Sequence, residues 1–239
     1  VHMDRTAALV PPEYGIERLY AKPETFTAAN VIVSLNRGPQ LTNHLGHAGW
    51  DYTMGIGIGD VENLVNESPF FSYSQGCYAG AFDHGVSGAT EAISEHFLTT
   101  RHGAVADVMN DRYGWYYVGW DQGLSQDLAH QFHDALFTEG LTTLGEANDD
   151  ARADNAGTAL SDGTMRYCFL ETNLHGDPLT RVQTRRATLR VAAVRIDDAD
   201  PAYANGNGAA EPGETVRLFV TLANDGPADH DDFLELHLI

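Results

Sequence analysis

The chain has 239 residues, with 34 acidic and 14 basic side chains and a formal net charge of −20. That charge repels phosphate backbones, which argues against a nucleic-acid partner, and it suits a salty or extracellular setting where screening relieves self-repulsion. Apolar residues make up 43%, enough for a sizeable core, and no run approaches the length of a membrane span.

Val1-His2-Met3 reads as a non-native leader, and the first ordered element is expected later. Val31, Ile32 and Leu35 share one face of a predicted helix over Thr27–Asn36, which Gly38 ends. A strand over Gln40–Leu45 runs into the glycine-rich stretch Gly46-His47-Ala48-Gly49-Trp50. The aromatic run Pro69–Ser74 reads as a buried strand that stops at Gln75-Gly76-Cys77. A helix over Thr90–Thr99, a strand over Gly103–Met109 and a helix over Ser125–Thr138 follow, the last with Leu124, Leu128, Phe132 and Leu136 recurring every four residues. Strands alternating with helices imply an α/β sheet with short connections.

The texture changes near Arg186. Ala187–Ile196 reads as a strand and Asp197–Gly213 as an acidic loop. In Thr215–Ala223, Val216, Leu218, Val220 and Leu222 alternate strictly with the other face. Asn224-Asp225-Gly226 is a turn, and Leu234–Ile239 alternates like a further strand. The expected domains are therefore 1–186, α/β, and 187–239, all-β and short of the roughly seven strands of a sandwich.

Two features carry chemistry. His47 lies in a glycine-rich turn after one strand, and Cys77 lies just after the next. In a parallel α/β sheet the carboxyl ends of neighbouring strands line one edge, where ligands bind. A thiol is mostly protonated at neutral pH, and a nearby imidazole can raise the thiolate fraction or protonate a leaving amine. Small neighbours let backbone N–H groups approach a developing oxyanion. Gly76, Ala48 and Gly49 leave that space, and the amides of Ala48 and Cys77 are the candidate donors. Taken alone, such a cysteine is more often a core thiol, and such a histidine more often a local hydrogen-bonding group. His44 precedes His47 by three positions, so strand alternation points it to the opposite face. His130 and His133 read as a solvated helix face, and Cys168, in Arg166–Leu170, as a core thiol in a strand-like run. Two cysteines are too few for a disulfide scaffold, allow one bridge at most, and lack the CxxC pairing of structural zinc.

Asn43-His44-Leu45-Gly46-His47-Ala48-Gly49-Trp50 resembles the Asn-x-x-Gly-His-Gly segment of gingipain-like cysteine peptidases, in the caspase-like clan. Ser72–Gly80 with Phe82 resembles their strand-Cys-x-x-Gly-x-Phe segment. Glu91-Ala92, Gly103-Ala104-Val105-Ala106, Trp115-Tyr116 and Gly176-Asp177-Pro178 match further positions in order. The resemblance covers about residues 31–182. It implies a caspase-like three-layer α/β sandwich with a mostly parallel sheet, present in part because the family places earlier strands upstream. An upstream part of the same polypeptide is thus an expected partner.

It also implies a cysteine endopeptidase, with Cys77 as nucleophile and His47 as proton carrier. Ala48 and Cys77 would form the oxyanion hole, and Trp115 with Gly76 would bind substrate. The family usually has glycine where this chain has Ala48, which together with the appended domain leaves open an inactive surface or adhesion protein; a transpeptidase using the same Cys–His pair is a further alternative. Relatives read Arg or Lys with an acidic residue. Asp107, Asp111 and Asp121 lie near the tryptophan loop, but none matches that position.

Protein or peptide substrates, a secreted or cell-surface location and no organic cofactor follow. The segment 187–239 resembles a truncated immunoglobulin-like β-sandwich module of secreted bacterial peptidases. Its loop, with Asp197, Asp198, Asp200, Asn205, Asn207, Glu211 and Glu214, offers the hard oxygen ligands that calcium takes.

Overall fold

The computed structural model describes residues 2–12, 14–22, 24–83, 91–120, 122–182 and 189–224. In chain order its elements are α1 (His2–Ala7), α2 (Ala28–Asn36), β1 (Leu41–His44), β2 (Tyr52–Thr53), β3 (Ile56–Gly57), α3 (Ile58–Glu62), β4 (Phe70–Ser74), α4 (Ile93–Thr99), β5 (Ala104–Asn110), α5 (Ser125–Asp134), α6 (Leu144–Ser161), α7 (Gly163–Glu171), β6 (Thr172–Gly176), β7 (Leu189–Asp197) and β8 (Arg217–Asn224). A π-helical turn, Ala135–Glu139, continues α5 and ends at Gly140, whose φ is 78°. The chain divides into two units, 1–184 and 185–239.

The first unit is built on a sheet of order β1-β4-β5-β6. β1 pairs with β4 and β4 with β5 in parallel, while β6 runs antiparallel to β5. Side chains alternate across β4. Phe70 packs with Val31, Leu35, Val61, Ile93 and Phe97 on one face. Phe71 and Tyr73 pack with Phe132, Leu136, Leu144 and Ala147 on the other. Helices thus cover both faces, as a largely parallel sheet requires, and β4 at its centre is buried along its whole length.

Local signals place the elements. Thr27 Oγ1 accepts the Asn30 N–H at 3.2 Å and caps α2, and Gly38 takes φ 66° just beyond it. Thr143 and Glu146 form a reciprocal capping box at the start of α6. Asp162 accepts the amides of Thr164 and Met165 and opens α7.

Three expectations are corrected. Cys168 is a buried thiol, but on helix α7 rather than in a strand. His130 and His133 are not a solvated face: they are 8% and 1% exposed. His133 Nδ1 lies 2.6 Å from the Ala129 carbonyl oxygen, and Thr6 of α1 lies beside His130. His2 is part of the fold as well, buried on α1 with its Nε2 3.3 Å from Gln75 Nε2. The sequence hides these because burial there depends on α1 reaching back to α5.

The second unit is an antiparallel ribbon of β7 and β8, paired from Leu189↔Asn224 to Asp197↔Arg217 with an irregularity between Val191 and Ala193. The turn after Asn224 and the strand-like run 234–239 lie outside the described residues. No helix among the described residues is long and apolar enough to cross a membrane.

Candidate active site

His44 and Ser74 are the last paired residues of β1 and β4. Immediately past them the two glycine-rich loops meet. A β-carbon added at Gly76 would collide with the Ala48 methyl and lie 3.1 Å from both the Ala48 nitrogen and the Gly46 carbonyl oxygen. Gly76 is therefore required by close approach, and the contact brings the segments holding His47 and Cys77 together at the carboxyl edge of the parallel strands. His47 is exposed and Cys77 half-buried. Among the described residues, the backbone amides of Ala48 and Cys77 donate to no protein acceptor.

His44 has a different role. Its ring stacks on Phe26, and its Nδ1 pairs with Ser74 Oγ at 2.9 Å, which in turn pairs with Thr53 Oγ1 at 2.9 Å. Burial, helped by the nearby His47, pushes its pKa down to about 4, so the ring is neutral at ordinary pH. A β-carbon at Gly46 would come within 2.6 Å of His44 Nε2, which explains the glycine between the two histidines.

The Cys77 loop is a tight corner. Tyr78, directly after the thiol, takes φ 60°, a left-handed conformation that costs a non-glycine residue about 1–2 kcal/mol. Hydrogen bonds hold it there: the Tyr78 N–H donates to Arg112 O at 2.7 Å and the Gly80 N–H to Asn110 O at 3.0 Å. The Arg112 guanidinium is fixed in turn by both oxygens of Asp83, at 3.0 and 2.6 Å. Helix α4 ties the two loops together through consecutive amides. The Ile93 N–H donates to Trp50 O at 2.7 Å and the Ser94 N–H to Ala79 O at 3.2 Å.

Beside the thiol, Cys77 Sγ lies 4.0 Å from Gly114 O. From there a cleft of about 380 Å³ opens, lined by Tyr113, Gly114, Trp115, Tyr116 and Val118. The Trp115 N–H donates to Ser125 Oγ at 3.1 Å and Trp115 O accepts the Ser125 N–H at 3.2 Å, while the indole stays half exposed at 45%. A β-carbon at Gly114 would run into the Gln75 carbonyl oxygen, so glycine is required where this loop crosses the Cys77 segment.

The acidic residues near the tryptophan loop do not face this cleft. Asp107 is fully buried and Asp111 nearly so. Both are engaged by His175, whose Nδ1 is 2.9 Å from Asp107 Oδ1 and whose Nε2 is 3.5 Å from Asp111 Oδ1. Asp121 lies outside the described residues. Glu171, buried at the end of α7, accepts the Arg112 N–H at 3.0 Å, yet burial pushes its pKa up to about 8. Sequence reasoning missed Tyr78, Ser94 and His175. No short-range signal marks them, since each acts through residues distant in the chain.

Both cysteines are free, so the single possible bridge is not made. Cys168 is buried, its thiol pushed up to about 11 by desolvation, which makes it a poor nucleophile. In the acidic loop of the second unit, the carboxylates of Asp198 and Glu214 accept backbone N–H groups of Gly208, Asn205 and Glu211. Glu139, Asp150 and Asp154 also converge, at the junction of the π-helical turn and α6.

No curated protein matches the chain. Among solved structures, the Arg-specific cysteine proteinase gingipain R aligns with a TM-score of 0.62 and 19% identity, over 82% of this chain and 51% of its own. This chain thus spans about half the length of that relative. A structure described as a protease aligns with a TM-score of 0.49 and 14% identity, over 81% of this chain and 55% of its own. The mixed sheet between two helical layers is therefore the caspase-like fold of gingipain R. The model of Peptidase family C25 matches residues 2–183, which is most of the sequence, and the chain belongs to that family.

Proposed function

We propose that the chain carries the thiol–imidazole pair of a cysteine endopeptidase, with Cys77 as nucleophile and His47 as its proton carrier. The Cys77 thiolate attacks the scissile carbonyl and forms an acyl-enzyme. His47 protonates the departing amine and then takes a proton from the water that hydrolyses the thioester. The amides of Ala48 and Cys77 stabilise the tetrahedral oxyanion. Trp115 and the cleft beside Gly114 receive the residue before the cleaved bond, with Gly76 leaving the floor open.

The observation that carries this reading is the contact of Gly76 with Ala48, which joins the two loops at the sheet edge. The unpaired amides of Ala48 and Cys77 favour an active site over an inactive scaffold, because Ala48 keeps its N–H despite its methyl group. Protein or peptide substrates, a secreted or cell-surface setting, and an immunoglobulin-like identity for the second unit belong to the same proposal.

The test is labelling of the full polypeptide with a peptidyl acyloxymethyl ketone, read by peptide mapping. Cys77 should label far faster than Cys168, and His47→Ala should abolish the difference. Equal labelling of both cysteines would overturn the reading.

A further inference from the structure

Beneath the Cys77 loop lies a polar cluster on the α4 side of the sheet. Asp107 projects from β5 and is fully buried. Ser94 Oγ donates to it, 3.0 Å from each carboxylate oxygen. His175, from β6, sits between Asp107 and Asp111, with its Nδ1 also 3.1 Å from Ser94 Oγ. Asn173 fixes the other Asp111 oxygen. The imidazole presses upward on the nucleophile loop: a β-carbon at Gly80 would come within 2.7 Å of His175 Cε1 and 2.8 Å of Asp111 Oδ1, and the Phe82 ring packs edge-on to it at 5.6 Å.

Ser94 connects this cluster to both halves of the proposed dyad. Its own amide holds Ala79 of the Cys77 loop, and the preceding amide holds Trp50 of the His47 loop. A buried carboxylate is costly unless charge and hydrogen bonds compensate it. Here the compensation comes from a side chain wedged under the nucleophile loop. Losing the His175 charge would leave Asp107 and Asp111 facing each other across the same space, and the loop anchored through Ser94 and Gly80 would shift.

We infer that His175, clamped between Asp107 and Asp111 against Ser94 and Gly80, is a positioning residue that sets the Cys77 loop relative to the His47 loop. The inference rests on the peptidase reading of Cys77 for its catalytic consequence, but not for its structural one. Burial disfavours the His175 charge, yet its hydrogen bond to Asp107 and the Asp111 carboxylate 3.5 Å away outweigh that and push its pKa up to about 9. Full burial pushes the Asp107 carboxyl up, and the bonds from His175 and Ser94 only partly offset this. With a carboxylate at each ring nitrogen, the shared proton resides on the imidazole at neutral pH. The next charges outward are Glu171, Arg112 and Asp83, none hydrogen-bonded to the ring. The clamp therefore opens at alkaline pH.

The experiment is amide hydrogen exchange on the full polypeptide, across pH 7 to 10, for wild type, His175→Gln and Ser94→Ala. In wild type the protection of the Tyr78 and Gly80 amides should fall about tenfold or more as pH passes 9, while amides of α6 keep theirs. In His175→Gln the same two amides should be weakly protected throughout, with no step near 9. Ser94→Ala keeps both charges and should weaken Gly80 while retaining the step. On peptide substrate, His175→Gln should lower kcat by roughly tenfold or more with KM within about twofold, and should lose the alkaline limb near pH 9. Unchanged Tyr78 and Gly80 protection in both variants would overturn the inference, as would equal loss in α6, which marks general destabilisation. If no peptide is cleaved even by wild type while the exchange pattern holds, the peptidase reading fails and the clamp stands.

Discussion

Gly76 and Ala48 touch across the junction of two parallel strands, and a β-carbon at position 76 would have no room beside the Ala48 methyl. The methyl of Ala48 is accommodated here against a glycine at 76. Gly76→Ala should destabilise by about 1–3 kcal/mol through overpacking, and should also displace the Cys77 loop. Ala48→Gly in the same chain should recover much of that loss, because only 3.1 Å contacts to Ala48 N and Gly46 O would remain. Thermal melts of the two single variants and the double variant measure the coupling. Simple additivity would show that the two loops do not meet as described.

The two histidines of the first loop should separate cleanly by what their loss affects. His47 is exposed, so His47→Ala should leave the melting temperature nearly unchanged while lowering kcat by about 10²–10⁴. His44 is buried and holds Ser74 beside Thr53. His44→Ala should lower stability by roughly 2–4 kcal/mol, from the cavity and the lost hydrogen bond. Peptide cleavage and melting curves on the same samples decide the matter. A large stability loss from His47→Ala, or none from His44→Ala, would reverse the assignments.

Stability should peak near neutrality and fall on the alkaline side. Folding raises His175 from 6.5 to about 9, so its contribution is complete below 6.5 and vanishes as pH rises through 9. Glu171 is raised from 4.5 to about 8, and its buried carboxyl costs stability progressively as pH climbs through that window. His44 and His133, both lowered from 6.5 to about 4 by burial, act in the opposite sense and weaken the fold as pH falls below 6.5. Melting temperatures from pH 4 to 10 should trace this dome, with a shallower alkaline slope in His175→Gln. A melting temperature that rises from pH 6.5 to 9.5 would contradict the burial and pairing described.

Glycines in this chain differ in what they do. Gly114 lies against the Gln75 carbonyl oxygen, and Gly114→Ala should lose activity by misplacing both the cleft and the Cys77 segment. Gly157 is exposed within α6 and a β-carbon there meets nothing within 4 Å. Gly157→Ala should therefore stabilise by about 0.5–1 kcal/mol with unchanged activity. Chemical denaturation of the two variants compares them directly, and similar shifts of the same sign would refute the distinction.

Calcium is proposed for the acidic loop of the second unit. Asp198 and Glu214 now accept backbone N–H groups, so an ion would have to replace bonds already made. The expected result is weak binding, with a calcium-dependent rise in melting temperature beyond that given by the same ionic strength of sodium chloride. An equal response to both salts would remove the proposal.

Sequence alone determined the elements whose signals are local. α2 is bounded by a threonine cap and a glycine stop, and β4 and β5 are short, largely apolar runs closed by polar or glycine-containing turns. The loops at 46–50 and 75–80 stand out because close backbone approach demands glycine and alanine there. α6 carries no such apolar signal: after Leu144 its packed face is Ala147, Ala151, Asn155 and Ala159, small residues in an acidic sequence with little amphipathic contrast. Only the tertiary structure decided the rest. His133 is buried because α1 returns to α5. Tyr78 turns left-handed because Arg112 O and Asn110 O hold its loop. Asp107 is compensated by a histidine 68 positions away. Periodicity and capping report what a residue's near neighbours require; the partner of a buried charge is chosen by sheet order, which brings β5 and β6 together across three helices.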